Sequence, residues 1–279
     1  MTVYIASAFS KGNIGGNKAG VCLLGEKLNE EQKLAIAKKL GFSETVYISA
    51  GQGKGVFKLE YFTPAEEVPL CGHATIAAFI VMRDKLPLDK DSCIIETKSG
   101  NLKVTLDGNA VFMQQNRPEF FGALEKADVA KCFDIDVASE KYPIEIGFTG
   151  LRDIMLPVRS LEVLDAMKPN FDEITSISRK FDVVGIHAFA FDESRIVCRN
   201  FAPLYDIPEE SATGTSNCVL AGYLWRNNII RKSEYIIEQG ENLGSPSEIA
   251  VRLSAYGDNI SDVYVGGTGY IIGEKQVDI

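Results

Sequence analysis

Phe62-Thr-Pro-Ala-Glu-Glu-Val-Pro69, which runs on through Leu70 into Cys71-Gly-His-Ala-Thr-Ile-Ala-Ala-Phe79, returns later in the chain. The later copy reads Phe201-Ala-Pro-Leu-Tyr-Asp-Ile-Pro208 and then Thr213-Gly-Thr-Ser-Asn-Cys-Val-Leu-Ala221. Phe62, Pro64, Glu67, Val68 and Pro69 face Phe201, Pro203, Asp206, Ile207 and Pro208, and the second copy carries three extra residues before its small-residue turn. An internal repeat decides the architecture before any single element does, and this one divides the chain into two related halves. In each half the turn launches a segment with almost no polar face, Thr75 to Met82 and Cys218 to Trp225. A helix apolar all round must be enclosed by protein. Each half is therefore expected to be a sheet wrapped around one central helix.

The surrounding pattern agrees. Val3 to Phe9 and Gly20 to Leu24 form a hairpin-like start, and Asn29-Glu-Glu-Gln opens a helix that Gly41 stops after Leu40. Runs at 43–49, 56–62, 93–97, 101–106 and 110–114 read as strands between glycine turns, as do 144–148, 153–158, 183–191, 196–201, 235–239, 249–253 and 263–272. Polar stretches at 117–141 and 160–180 carry helical patterns. No helix regularly follows each strand, which disfavours a doubly wound parallel sheet. The expected class is α+β: two pseudo-symmetric halves, each a curved, barrel-like, mostly antiparallel sheet around a central apolar helix. The N-terminal half is residues 1–115, with the C-terminal strand 263–279 as its candidate completion, and the C-terminal half is 116–262.

Composition removes several function classes. The 279 residues carry 29 Lys plus Arg against 38 Asp plus Glu, a formal charge of -9. With no clustered basic face, nucleic acid is excluded as a partner. The two apolar-bearing uncharged runs, Val68 to Met82 and Ser211 to Trp225, are 15 residues each, short of the roughly 18 that cross a bilayer. The start of the chain has no signal-peptide pattern, so a cytoplasmic protein is expected. Six scattered cysteines fit reduced, buried thiols. With only His73 and His187 available, no metal site is expected, and Gly12-Asn-Ile-Gly-Gly-Asn lacks P-loop and Rossmann spacing. His187, in an apolar run, reads as a satisfied structural histidine.

The turns carry the chemistry. Both central helices begin at a glycine beside a hydrogen-bonding residue, Gly72-His73 and Gly214-Thr215. Helix N-termini present unpaired N–H groups and partial positive charge, and glycine admits a ligand to the backbone. Two such ends facing one another across a cleft would hold a small carboxylate and stabilise charge developing beside it, as proton abstraction requires.

Gly16-Asn-Lys-Ala-Gly-Val, Ser43-Glu44-Thr45, the Phe62-Thr-Pro to Cys71-Gly-His-Ala-Thr block, Phe201-Ala-Pro, Thr213-Gly-Thr and Glu238-Gln-Gly together resemble the PhzF-like phenazine-biosynthesis family. The resemblance runs from residue 1 to about 270. It implies the fold of diaminopimelate epimerase and a cofactor-free isomerase, a homodimer, acting on a small carboxylate-bearing substrate. The resemblance places the acid/base glutamate at Glu44 and the active-site histidine at His73, with Glu210 as a third catalytic residue standing for an aspartate of the usual Glu-Asp-Pro. It also puts Asn17, Gly72, Ala74, Thr213, Gly214 and Thr215 at the substrate. Lys18 and Ser245 depart from the family's usual proline and arginine.

Two other functions stay open on the sequence. A two-cysteine racemase needs a cysteine before the glycine in both halves; Cys71 meets the first, but Thr213 occupies the second. A non-catalytic metabolite-binding protein would leave Glu44 isolated.

Overall fold

Asn29 and Gln32 exchange side-chain-to-backbone hydrogen bonds in a capping box, and Gly41 takes the left-handed conformation at φ 72° that stops the helix between them, α1 (Glu30–Leu40). The computed structural model describes residues 1–25, 27–86, 88 and 91–278; Ile279, the end of the expected terminal strand, lies outside the described residues. The chain separates into two units, Met1–Gln114 with Gly266–Ile279, and Gln115–Val265.

In the first unit β1 (Thr2–Ala8) pairs antiparallel with β2 (Asn17–Leu23), which runs parallel to β3 (Thr45–Ala50). β3 is antiparallel to β4 (Val56–Phe62). β4 carries the short antiparallel β5 (Glu67–Val68) and runs parallel to β6 (Ser92–Thr97). β7 (Gly100–Asp107) and β8 (Ala110–Gln115) follow antiparallel, and the C-terminal strand Gly269–Gln276 pairs antiparallel with β1. Alternation along these strands supplies two apolar faces. Val3, Cys22, Tyr47 and Phe62 pack under Ile36 and Ala37 of α1. There Lys33 is buried, with its ammonium 2.7 Å from Glu60. Against the sheet packs α2 (Gly72–Lys85), buried without interruption from His73 to Met82.

The second unit repeats this order of pairing directions. β9 (Glu119–Leu124), β10 (Ile144–Phe148) and β11 (Arg152–Pro157) are antiparallel neighbours, and β11 runs parallel to β12 (Gly185–Phe191). β12 is antiparallel to β13 (Ile196–Ala202), which carries the short β14 (Ile207–Glu210) and runs parallel to β15 (Glu234–Gln239), antiparallel in turn to β16 (Ser247–Tyr256). The central helix, buried from Ser216 to Leu224, spans Gly214–Arg226. Phe201 pairs with Ile186 as Phe62 pairs with Thr45, so the registers of the two copies can be superposed residue by residue.

Two expectations need correction. The helical pattern at 117–141 is instead β9 followed by a single helical turn, Lys126–Val129. The pairing of β9 with β10 decides this, because tertiary contacts override weak local periodicity. The run 263–272 is two strands, Asn259–Gly267 and Gly269–Gln276, broken at Thr268. Among the described residues no helix is long and apolar enough to cross a membrane, and all six cysteines are free and buried.

Candidate active site

Tyr47 turns toward α1, so Val46 and, two residues back, Glu44 turn toward α2, because successive strand residues face opposite sides. This places the Glu44 Oε2 atom 3.2 Å from Nε2 of His73, the second residue of α2. The distance is that of a hydrogen bond but the angle is not: Oε2 is buried and makes no hydrogen bond. Ser43 Oγ lies 3.4 Å from the same ring nitrogen. On the other side of the ring, Nδ1 has the amide nitrogen of Asn17 at 3.4 Å and the thiol of Cys71 at 3.4 Å. An amide N–H facing Nδ1 makes that nitrogen the acceptor, which leaves the ring proton on Nε2, toward Glu44. Burial pushes the His73 pKa down, and the attraction of Glu44 offsets this only in part. His73 is therefore a neutral imidazole whose N–H faces a carboxylate.

Asn17, Glu44, His73 and the start of α2, including Gly72 and buried Ala74, thus form one cluster. Cys71, the N-cap residue, gives α2 no side-chain cap. At Gly72 a Cβ would meet only the Cε of Met113, at 3.8 Å, an ordinary contact. The protein itself does not require glycine there, which suits an approach reserved for a ligand.

Glu44, Cys71 and His73 also bring ligand-type atoms within 4.8 Å of one another, a gathering that their sequence spacing hides. Glu44 addresses Nε2, whereas Cys71 lies nearer Nδ1. One ion takes one imidazole nitrogen, so a trio whose carboxylate and thiol lie nearest different ring nitrogens is poorly arranged to close on a metal.

The second unit gathers Glu210, Thr213 and the start of its central helix. The Thr213 hydroxyl donates to Glu210 Oε2 at 2.7 Å and accepts from Gln239 Nε2 at 3.0 Å. Gln239 also donates to the Glu210 carbonyl and, through Oε1, accepts from the Thr213 backbone and from Asn217. Thr149 Oγ1 donates to the carbonyl of Thr215, beside Gly214. Thr213 as N-cap again provides no side-chain cap.

The repeat is chemically unequal. Superposing the registers sets Gly185 opposite Glu44 and Thr215 opposite His73. A Cβ at Gly185 would lie 1.8 Å from the Phe201 carbonyl oxygen, so no side chain can stand there. Only the first unit can hold a carboxylate at this position.

His187 is the buried structural histidine expected, but it is not fully satisfied. It is fully buried, with Nδ1 3.1 Å from the Asn200 amide, but Nε2 has no hydrogen-bond partner. Burial holds its pKa down to about 3, an interaction with Asn217 notwithstanding. Asp153, Asn200 and Asn217 went unnoticed as functional candidates. Aligning Thr75 with Asn217 in the repeat was the one signal available for any of them.

The profile of the family described as phenazine biosynthesis-like protein, PhzC-PhzF, matches residues 6–274. The chain is 30% identical to the uncharacterized isomerase YfhB of Bacillus subtilis (strain 168), over 94% of each chain. It is 28% identical to the trans-2,3-dihydro-3-hydroxyanthranilate isomerase of Pseudomonas chlororaphis, over 98% of each. The crystal structure of a PhzF-family phenazine biosynthesis protein from Bacillus anthracis superposes with a TM-score of 0.89 at 28% identity, covering 100% of this chain and 99% of that one.

Proposed function

The chain belongs to the PhzC-PhzF family, a family of isomerases, and from that premise we propose that it moves a proton within a small carboxylate-bearing metabolite, with Glu44 as the acid/base. The observation that carries this reading is the buried Glu44 Oε2, without a hydrogen bond, beside the N–H of a neutral His73. A buried carboxylate oxygen without a hydrogen bond is costly, and its lone pairs are available to accept a proton from a substrate carbon.

In the forward step Oε2 takes the proton, the C–H electron pair enters the conjugated system of the substrate, and the carboxyl group so formed faces His73. In the second step the carboxyl group, whose proton exchanges with solvent in part of the turnovers, protonates another carbon and the carboxylate is restored. No electrons leave the substrate and no group is transferred. The Nε2–H of His73 lies beside the carboxylate and is assigned to steadying its negative charge, while Asn17 and Cys71 at Nδ1 keep the proton on Nε2. The N–H groups at the start of α2, next to Gly72 and Ala74, are assigned to negative charge on the substrate. By the repeat, the start of the second central helix, with Gly214, Thr215, Thr213 and Glu210, is assigned to substrate binding as well.

Cys71 gives a second reading, a thiol-based racemase. The neutral His73 argues against it, because an uncharged imidazole does not stabilise a thiolate beside it.

The test is a screen of small amino and hydroxy carboxylates in heavy water, beginning with trans-2,3-dihydro-3-hydroxyanthranilate, the substrate in the name of the Pseudomonas relatives. Wild type is expected to incorporate deuterium into a member of the panel and Glu44→Gln to incorporate none. Equal incorporation by the two proteins would remove Glu44 from the chemistry.

A further inference from the structure

Beneath the first turn of the helix Gly214–Arg226 lies a set of polar side chains that the chemistry above does not use. Asp153 is 2% exposed, on β11. Its Oδ2 accepts from the hydroxyl of Ser216 at 2.6 Å, and Ser216 is the third residue of the helix. The Ser216 oxygen accepts in turn from the amide of Asn200 at 3.4 Å, and that amide also lies 3.1 Å from His187 Nδ1. Asp153 pairs with Gly185, and His187 stands two residues beyond it on β12 and pairs with Asn200. All three side chains therefore share the sheet face turned to the helix. The Asp153 carboxylate also faces the Gly185 backbone and His187 also faces Asn217, but neither Asp153 Oδ1 nor His187 Nε2, both buried, reaches hydrogen-bond geometry.

A carboxylate without a cationic partner is an expensive thing to bury. Burial pushes its pKa up to about 6, against the pull of Ser216 and the Gly185 backbone. A carboxylate next to a helix start ordinarily takes the backbone N–H groups as a cap. Here its hydrogen bond comes from the Ser216 hydroxyl instead. The N-cap residue Thr213 does not cap either, since its hydroxyl is committed to Glu210. Asp153 is thus tied to the helix start through a side chain and leaves the N–H groups of the first turn to other partners.

We propose that Asp153 is a positioning residue for substrate binding, fixing through Ser216 the orientation of the first turn of the helix Gly214–Arg226. The proposal rests on the reading above that this helix start binds substrate. The equivalent helix residue in the first unit, Ala74, carries no hydroxyl, so this device belongs to the second unit alone.

The test uses Asp153→Ala, Ser216→Ala, their combination and Asp153→Asn in the full chain, with 3-hydroxyanthranilate, an aromatic amino hydroxy acid kept free of oxygen, as the binding probe. Backbone hydrogen exchange over residues 213–217 is followed in parallel. Each alanine variant is expected to raise the dissociation constant about tenfold, the lower range for losing a hydrogen bond to a charged group. The combination is expected to do no worse than either single change. Asp153→Asn keeps an acceptor for Ser216 and should stay within about twofold of wild type. Exchange at 213–217 should quicken in the alanine variants alone. A product of the two effects in the double variant, or faster exchange with unchanged affinity, would show a mere structural brace and overturn the proposal. Should Asp153→Ala not fold, Ser216→Ala and Asp153→Asn decide between the same outcomes. If wild type does not bind the probe, the assignment of this helix start to substrate falls and the proposal with it. If wild type binds and the alanine variants bind alike, only the proposal falls.

Discussion

Replacing Gly72 by alanine separates stability from activity. Gly72 is the first residue of α2, its backbone lies outside the left-handed region, and an added methyl would meet only Met113 Cε at 3.8 Å. Gly→Ala at a compatible position stabilises by about 0.4–1 kcal/mol, because the unfolded chain loses freedom. For a chain of this size that is a rise in Tm of about 1–4 °C. The same methyl projects over the N–H groups assigned to the substrate's charge. A ligand oxygen displaced by about 1 Å loses on the order of a hundredfold in rate, equivalent to about 2.7 kcal/mol of barrier. The assays are a thermal melt and the initial rate of deuterium incorporation with the substrate the screen identifies. The expected outcome is a slightly more stable protein with kcat/KM down about a hundredfold. A lower Tm would show that the space above Gly72 is not open. A raised Tm with an unchanged rate would show that no substrate atom approaches this glycine, and the assignment of the α2 start would have to be abandoned.

Cys71→Ser should keep deuterium incorporation within about tenfold of wild type, and serine, a better N-cap, should stabilise α2 by about 1 kcal/mol; abolished exchange would favour the thiol mechanism. Arg199 forms a two-pronged ion pair with Glu209, 2.8 Å at each prong, and also donates to the carbonyls of Leu164 and Met167. Both side chains are 9% exposed, so Glu209→Gln should cost about 3–5 kcal/mol in denaturant unfolding; a loss under about 1 kcal/mol would mean the pair is effectively solvated. Asp153→Asn should alter the pH dependence of unfolding. His187, neutral in the fold with a pKa near 3 against 6.5 unfolded, contributes fully above pH 6.5 and less as pH falls toward 3. Asp153, at about 6 against 3.8, contributes fully below 3.8 and loses this as pH rises through 6. The two slopes oppose between about pH 4 and 6, so removing Asp153 should expose a fall of up to about 1.4 kcal/mol per pH unit on acidification. Parallel curves for variant and wild type would contradict this.

What was legible in the sequence was what is encoded locally or twice. Asn29, Gln32 and Gly41 mark α1 because capping is decided within a few residues. The two apolar helices are legible because a segment without a polar face admits one environment, and the repeat says so in both halves. β9 was illegible: Glu119 to Leu124 is mostly exposed and takes its strand conformation from β10, not from alternation of its own. Within the site, Cys71 and His73 are two residues apart, whereas Glu44 reaches them only because β3 lies on α2; the resemblance named it, and spacing could not. Asp153 and Arg199 hide in apolar strand runs, where their partners Ser216 and Glu209 come from other elements. A buried charge is recognisable only once its partner is known.

The closeness of Gly185 to the Phe201 carbonyl has a bearing on design. A chain assembled from two copies of residues 115–265 could not take a carboxylate at either 185 until β12 and β13 were re-spaced around that carbonyl. Two copies of the first unit's strand arrangement meet no such obstacle. Any attempt to build a symmetric enzyme from this repeat must therefore start from the N-terminal half.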